Sequence, residues 1–335
     1  MPPKKSADFG PGQSEDTSPA DGEAVARQPS GRMIIKDAAR FVKKHISKQP
    51  PVQRFFSFMP TLLTQVSPFH FKGHSKFDQW PLVRLDSGDQ NSWGRMRVVG
   101  ELLIIFDETI LFCLLALMTK YENDAFETSQ SELSELADMN ASPNAFGSIW
   151  KSIQRLAGTR IDLELLGGRG KKRKALKEMT GSILSFADMD RQTGTIRVVV
   201  NPYFLEMYAE SFVTNIDLKF RTSLKSDVSK AFYRFYQGRY GVSSEMDMLN
   251  LAGAVNLDIK QKRQRLRSKI RQGLSELQKK GYLKTFELTR DDRVIVSKCR
   301  DTAVKFDGQI LGPRKISHTK NSGEKAGATG VAKRD

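Results

Sequence analysis

Apolar residues along this chain recur mostly at helical spacing, and the helices they mark fall into two groups, each followed by alternating β-rich runs. The stretch LLIIFDETILFCLLALM (102–118) supports a core helix from about Asp107 to Tyr121. Phe126–Thr128 reads as a short strand, and Ser129 with Glu132 fits a capping box for a short helix with Leu133, Leu136 and Ala137 on one face. Pro143 restarts the chain into a longer helix with Phe146, Ile149, Trp150, Ile153 and Leu156 at helical spacing, closed by Gly158. The run RIDLELL, a glycine-rich basic loop GGRGKKRK (167–174), and the β-rich runs ILSFA and TIRVVV around DMDRQTG complete the group.

The second group repeats the plan. SDVSKAFYRFYQGRYG (226–241) is a helix with Val228, Phe232, Phe235 and Tyr236 on its packing side. Ser243 or Ser244 caps the short helix EMDMLNLAGAV, a long basic helix follows, and Gly281 ends it. YLKTFEL and RVIVSK around TRDD form a hairpin. Helix, short helix, longer helix and β-hairpin is the order of a winged helix-turn-helix. Two such units predict an α+β protein of tandem winged helix-turn-helix domains, spanning 96–215 and 216–307. Residues 1–32 and 308–335 have the composition of disordered tails, the latter basic, and 33–95 form a partly irregular N-terminal extension.

The long helix of the second unit carries the strongest chemical signal. Seven Lys or Arg residues fall between Lys260 and Arg271, with no acid from 259 to 275. On a helical wheel Ile259, Leu266, Ile270 and Leu277 lie within roughly 40° of each other as an apolar stripe. The opposite face presents Gln261, Gln264, Ser268, Gln272 and Arg271, flanked by Lys260, Arg265 and Arg267. Glutamine can pair with adenine through N6 and N7, and arginine with guanine through O6 and N7, so this face suits base readout in a major groove. A solvated charged face normally alternates sign to gain i,i+4 pairs, which this one does not. In the first unit the loop 167–174 reads as the wing, with Arg169, Lys171, Lys172, Arg173 and Lys174 placed to neutralise phosphates. It lacks the G-K-[ST] ending of a nucleotide-binding loop.

Composition agrees with a polyanionic partner: 54 Lys and Arg against 38 Asp and Glu give a net charge of +16 over 335 residues. Cys113 and Cys299 lie far apart and read as reduced thiols, a lone disulfide being the alternative. No stretch suits a membrane span, because Asp107 and Glu108 interrupt the most apolar one. No catalytic constellation emerges either. His70 and His74 lack the intervening general base of a zinc protease, and the tyrosines Tyr233, Tyr236 and Tyr240 lack the paired histidines of a nicking enzyme. The sequence therefore predicts a non-enzymatic protein without metal or cofactor.

The runs VVGELLIIFDETILFCLLALMTKYE, FETSQSELSEL through SIQRLAGTRIDLELLGG, VVVNPYFLEMYAE into KFRTSLKSDVSKAFYRFY, and GLSELQKKGYL together resemble the replication initiators of iteron-containing plasmids, and the TrfA-type group in particular. The resemblance covers about 98–300. It implies a cytoplasmic, nucleoid-associated bacterial protein that binds direct repeats in double-stranded origin DNA. It also implies opening of adjacent AT-rich DNA, with single-stranded DNA as a further partner, and contact with a host initiator and replicative helicase. A homodimer in equilibrium with an initiation-competent monomer is implied too, with dimerisation on the first unit, where the β-branched run IRVVV (196–200) could pair at a sheet edge or complete a core. A winged-helix transcriptional repressor acting at a promoter is the competing reading. Gln53, Phe56 and Phe58 in QRFFSF look like a peptide for a sliding clamp, and equally like an aromatic cluster packing on the first unit.

Overall fold

The computed structural model describes residues 56–65, 67–71, 83–84, 93–121, 123–167, 172–201, 204, 213–239 and 241–299. The tails, 1–32 and 308–335, and residues 33–55 of the N-terminal extension lie outside the described residues. The first winged unit runs α2 (Ile105–Tyr121), β4 (Ala125–Ser129), α3 (Gln130–Leu136), α4 (Pro143–Gly158), β7 (Leu184–Met189) and β8 (Thr195–Val200). The second runs α6 (Asp227–Gln237), β10 (Ser243–Asp247), α7 (Met248–Ala254), α8 (Arg263–Lys279), β11 (Leu283–Leu288) and β12 (Arg293–Lys298). Both sheets have the same antiparallel order, β4-β8-β7 and β10-β12-β11, so in each unit the last strand lies between the other two. Caps set the helix starts: Ser129 accepts from the Glu132 N–H at 3.0 Å, Ser142 from that of Ala145 at 3.2 Å, and Ser226 from that of Val228 at 3.2 Å.

Three features differ from the sequence expectation, and one decides between the two readings left open for IRVVV. Strand β8, which contains IRVVV, is the central strand, and both of its backbone edges are paired. It cannot add a partner strand; Ile196, Val198 and Val200 instead complete the core. The basic loop 167–174 is not the wing of the first unit. It joins β5 (Arg160–Gly167) to β6 (Lys174–Ser182), an extra hairpin inserted between α4 and the wing strands. That hairpin forms a separate sheet, β2-β3-β5-β6, with β2 (Val83–Arg84) and β3 (Trp93–Val99). The wing proper is β7–β8. In the second unit Asp247, rather than a serine, caps α7, accepting from the Leu249 and Asn250 N–H groups, because 243–247 is strand. Finally, β1 (Phe56–Pro60) and α1 (Thr61–Gln65) form where the pattern looked irregular. β1 pairs with β9 (Val213–Asp217), which leads into α5 (Leu218–Ser223), and Met59, Leu63 and Phe69 are fully buried.

Helix α2 is buried nearly all round from Ile105 to Met118, which explains why its sequence shows no polar face. Two adjacent acids at its start face different neighbours. Asp107 accepts the Ile104 N–H at 2.8 Å and pairs with Arg155 of α4 through bonds of 2.6 and 2.9 Å. Glu108 pairs with both Arg221 of α5 and Arg234 of α6, and all three side chains are fully buried. Arg221 also donates to Thr109 Oγ1 at 2.6 Å and lies over the Phe112 ring. Arg234 donates to Ser67 Oγ, while the Ser67 and Phe69 carbonyls accept from Asn256 Nδ2 at 2.7 and 2.8 Å. One buried carboxylate thus serves two guanidiniums and joins the units. Burial pushes the Arg221 pKa down and Glu108 opposes that effect.

Removing the shared anion leaves two buried cations facing each other. Glu108→Gln is expected to lower the unfolding free energy by about 3–5 kcal/mol. Denaturant unfolding measures this, and a loss below about 1 kcal/mol would show that the pairs do not hold the units together.

Candidate nucleic-acid interface

Helix α8 is seated by its apolar stripe and by two contacts with α6. Leu266, Ile270, Leu274 and Leu277 are buried. A Cβ on Gly273 would meet Val228 at 2.8 Å and Phe232 at 2.9 Å, so the glycine permits the close crossing. Glu276 is the first acid after the basic run. It accepts the Lys225 and Ser226 backbone N–H groups at 2.6 and 3.2 Å and the Ser229 hydroxyl at 2.6 Å, capping the start of α6. Burial acts to raise its pKa, but these hydrogen bonds outweigh burial and hold it below the ordinary carboxylate value.

This seat leaves one face of α8 outward. Gln264, Arg265, Ser268, Arg271 and Gln272 are exposed, and none has a side-chain hydrogen bond or ion pair among the described residues. Arg265 and Arg271 are therefore cations without an anion among the described residues, on a helix face of the right chemistry for base edges. The helix begins at Arg263, later than the wheel assumed, so Lys260 and Gln261 precede it in a turn closed by Lys260 N–H on Asp258 Oδ1 at 2.9 Å. Lys260 is exposed, and the Gln261 amide nitrogen is buried without a hydrogen-bond partner. Ile259 is not part of the buried stripe; it is 47% exposed beside this turn, because the helical periodicity does not extend to it. The first turn of α8 has no acid, and Lys262 at its N-cap makes no side-chain cap bond. Cations at the positive end of a helix dipole are unfavourable alone and favour an anion there.

Arg267 is engaged within the protein. It pairs with Asp292 and donates to the Thr289 carbonyl at 2.8 Å, tying α8 to the β11–β12 turn. Arg263 also pairs with Asp292. In the first unit Lys172 and Lys174 are exposed and Arg173 is half-buried, while Arg169 and Lys171 lie outside the described residues. Phe56 and Phe58 sit in β1, with backbones paired to Asp217 and Asn215; Gln53 lies outside the described residues. The sequence reading passed over the exposed face of α4, with Asn144, Ser148, Lys151 and Gln154, and the wing-tip residues Arg191 and Arg290. Topological equivalence of α4 with α8 marks that face, whereas charge density, the signal followed in the sequence, does not.

Other candidate chemistry finds structural roles. Cys113 is fully buried, its thiol pushed up to about 12 by burial, and is no nucleophile. His70 is buried where 67–71 joins α2 through His70 N–H on Leu103 O at 2.8 Å and Ile105 N–H on His70 O at 3.0 Å. Among the described residues no cluster of metal-ligating side chains occurs, and no helix is long and apolar enough to cross a membrane.

Fold and surface define a tandem winged-helix protein with a cationic, unpartnered helix face. Residues 101–237 match the family model of the initiator replication protein WH1 domain, which spans the first unit and continues through α6. Solved structures of similar shape include a selenomethionine crystal structure of domains 2 and 3 of RctB (TM-score 0.49, 14% identity, covering 72% of this chain and 98% of that one). Another is the Pi initiator protein in complex with iteron DNA (TM-score 0.42, 13% identity, covering 59% and 92%). No curated protein matches the chain.

Two predictions concern the seat of α8. Gly273→Ala should destabilise the protein by about 1–3 kcal/mol in denaturant unfolding, through overpacking against Phe232. Glu276 has a depressed folded-state pKa, so its contribution is present above the unfolded carboxylate value and is lost as pH falls through the folded one. The Tm of wild type should exceed that of Glu276→Gln near pH 7, and the gap should close on acidification below about pH 4, given the usual carboxylate range. A gap constant with pH would exclude an ionised cap.

Proposed function

We propose that this protein is a non-enzymatic plasmid replication initiator that binds direct repeats (iterons) at an origin, with α8 in the major groove of each repeat. The observation that carries this reading is the free face of α8, Gln264, Arg265, Ser268 and Arg271, in a chain whose first unit matches the initiator WH1 family model. Phosphate contacts would come from Lys260, the wing tip at Arg290, and Lys172 and Lys174 on the inserted hairpin. The face of α4 offers a second, less charged surface to the same duplex. The sequence runs that resemble the TrfA-type group support the finer steps of the reading: opening of AT-rich DNA and recruitment of a host initiator and helicase. Homodimerisation through the first unit belongs to it as well. Strand β7, at the edge of its sheet and bearing Phe186 at 49% exposure, suits that contact better than the central β8.

Footprinting on DNA flanking the coding gene tests the function. Several evenly spaced protected repeats beside AT-rich DNA support initiation. A single protected palindrome over a promoter would instead identify a winged-helix transcriptional repressor. At the residue level, Arg265→Ala and Arg271→Ala should each weaken binding to the protected repeat by about 1–3 kcal/mol while changing random-sequence binding less. Alanine at Lys172 and Lys174 should weaken all sequences alike and flatten the dependence of log K on log salt. Equal losses on repeat and random DNA for the two arginines would place them on phosphate and sink their base-reading role.

A further inference from the structure

The charge balance at the second wing carries an inference that rests on the DNA-binding reading and deepens it. Asp292 closes the β11–β12 turn in left-handed backbone, φ 65°, a conformation that Asp and Asn tolerate better than most residues. Its carbonyl accepts the Met248 N–H at 2.8 Å, at the start of α7. Its carboxylate, with only 12% of the side chain exposed, takes both Arg263 and Arg267. The two arginines are not equivalent. The Arg267 side chain is 22% exposed and is also held by the Thr289 carbonyl, whereas that of Arg263 is 65% exposed, at the uncapped first turn of α8. An ion pair with so exposed a partner is weak and exchangeable. If Arg263 moves away, Arg267 still neutralises Asp292, so the exchange strands no buried charge.

We propose that Asp292 is a specificity-determining residue: its carboxylate takes the place of a phosphate on Arg263 and withholds that cation from DNA of arbitrary sequence. Phosphate neutralisation supplies nearly all sequence-independent affinity. A cation engaged internally therefore lowers binding to random DNA, and it is released only where base contacts seat α8 deeply enough for a phosphate to displace the carboxylate. Discrimination is a difference of affinities, and this device enlarges it from the non-specific side. Asp292 simultaneously fixes the wing against α7 and α8, so the group that restrains Arg263 is itself positioned by the DNA-facing elements.

The test uses the full chain, wild type and variants, on two duplexes of equal length over 50–200 mM KCl. One duplex is selected by the wild-type protein from a randomised pool, and the other has random sequence. Asp292→Asn keeps the left-handed turn and the carbonyl while removing the charge. It is expected to tighten random-duplex binding and to steepen its salt dependence by about one phosphate equivalent, an extra loss of about three- to fourfold across that range. The selected duplex should respond less, so the ratio between the two narrows. Arg263→Gln, at an exposed site, should flatten the salt dependence on the selected duplex by about one equivalent and leave the random duplex unchanged. An unchanged random-duplex slope in a folded Asp292→Asn protein overturns the proposal. So does an unchanged selected-duplex slope in Arg263→Gln, which decides the matter alone should the Asp292 variant fail to fold. Retention of no duplex by wild type at any salt would remove the DNA-binding reading itself, and this inference with it.

Discussion

The junction between the two units depends on one buried carboxylate of the first. Glu108 lies at the start of a helix with no solvent-facing side, and it holds guanidiniums from α5 and α6 in a region closed to water. Such a group contributes little net stability compared with an apolar core of equal volume, because desolvating three charges offsets most of their attraction. What it does supply is geometry. Arg234 reaches on to Ser67, whose carbonyl accepts from Asn256, and Asn256 occupies left-handed backbone (φ 59°) between α7 and α8. Hydrogen bonds and ion pairs thus run from α2 to the turn that launches the basic helix. Asp107, one residue earlier, does the same for the first unit through Arg155 near the end of α4. Adjacent acids on one buried helix therefore tie it to the third helix of the first unit and to α6 of the second.

The uneven treatment of the cations on α8 follows from where each side chain can find an anion. Arg267 and Arg263 lie on the side of the wing and take Asp292. Arg265 and Arg271 have no ion pair among the described residues. A helix concentrating this much like charge would be poor in isolation. It forms because Leu266, Ile270, Leu274 and Leu277 bury a stripe against the domain and because Glu276 bonds across to α6. Tertiary packing supplies the stability, which leaves the outer face free to carry residues chosen for a partner rather than for the helix.

Much of this was legible in the sequence. Apolar spacing and capping residues gave α2, α3, α4 and α6 to within a few residues, and Gly281, at φ 76°, closes α8 as expected. The order of elements gave two winged units, because a helix that must bury one stripe beside a hairpin has few other arrangements. What failed was pairing. Strand partners are long-range facts, and nothing local in GGRGKKRK distinguishes the tip of an inserted hairpin from a wing. IRVVV likewise reads the same as an edge strand or a central one. The wheel over 259–262 failed because periodicity alone cannot locate a helix start when no Ser, Thr, Asp or Asn stands at the N-cap.

The division among the arginines of α8 was hidden for a related reason. Residues 263, 265, 267 and 271 are chemically identical in the sequence, and their roles differ only through Asp292, 25 residues beyond Arg267 along the chain. Asp292 appears in the sequence as one of two acids in TRDD, a turn residue with no stated partner. Its neighbour Asp291 is exposed and makes no ion pair with α8, although Asp292, one residue on, pairs with two of its arginines. The left-handed backbone at 292 separates them, turning that carboxylate inward to the helix while its carbonyl meets α7. A single backbone conformation in a hairpin turn thus decides which of the helix's charges are held internally and which remain available outside.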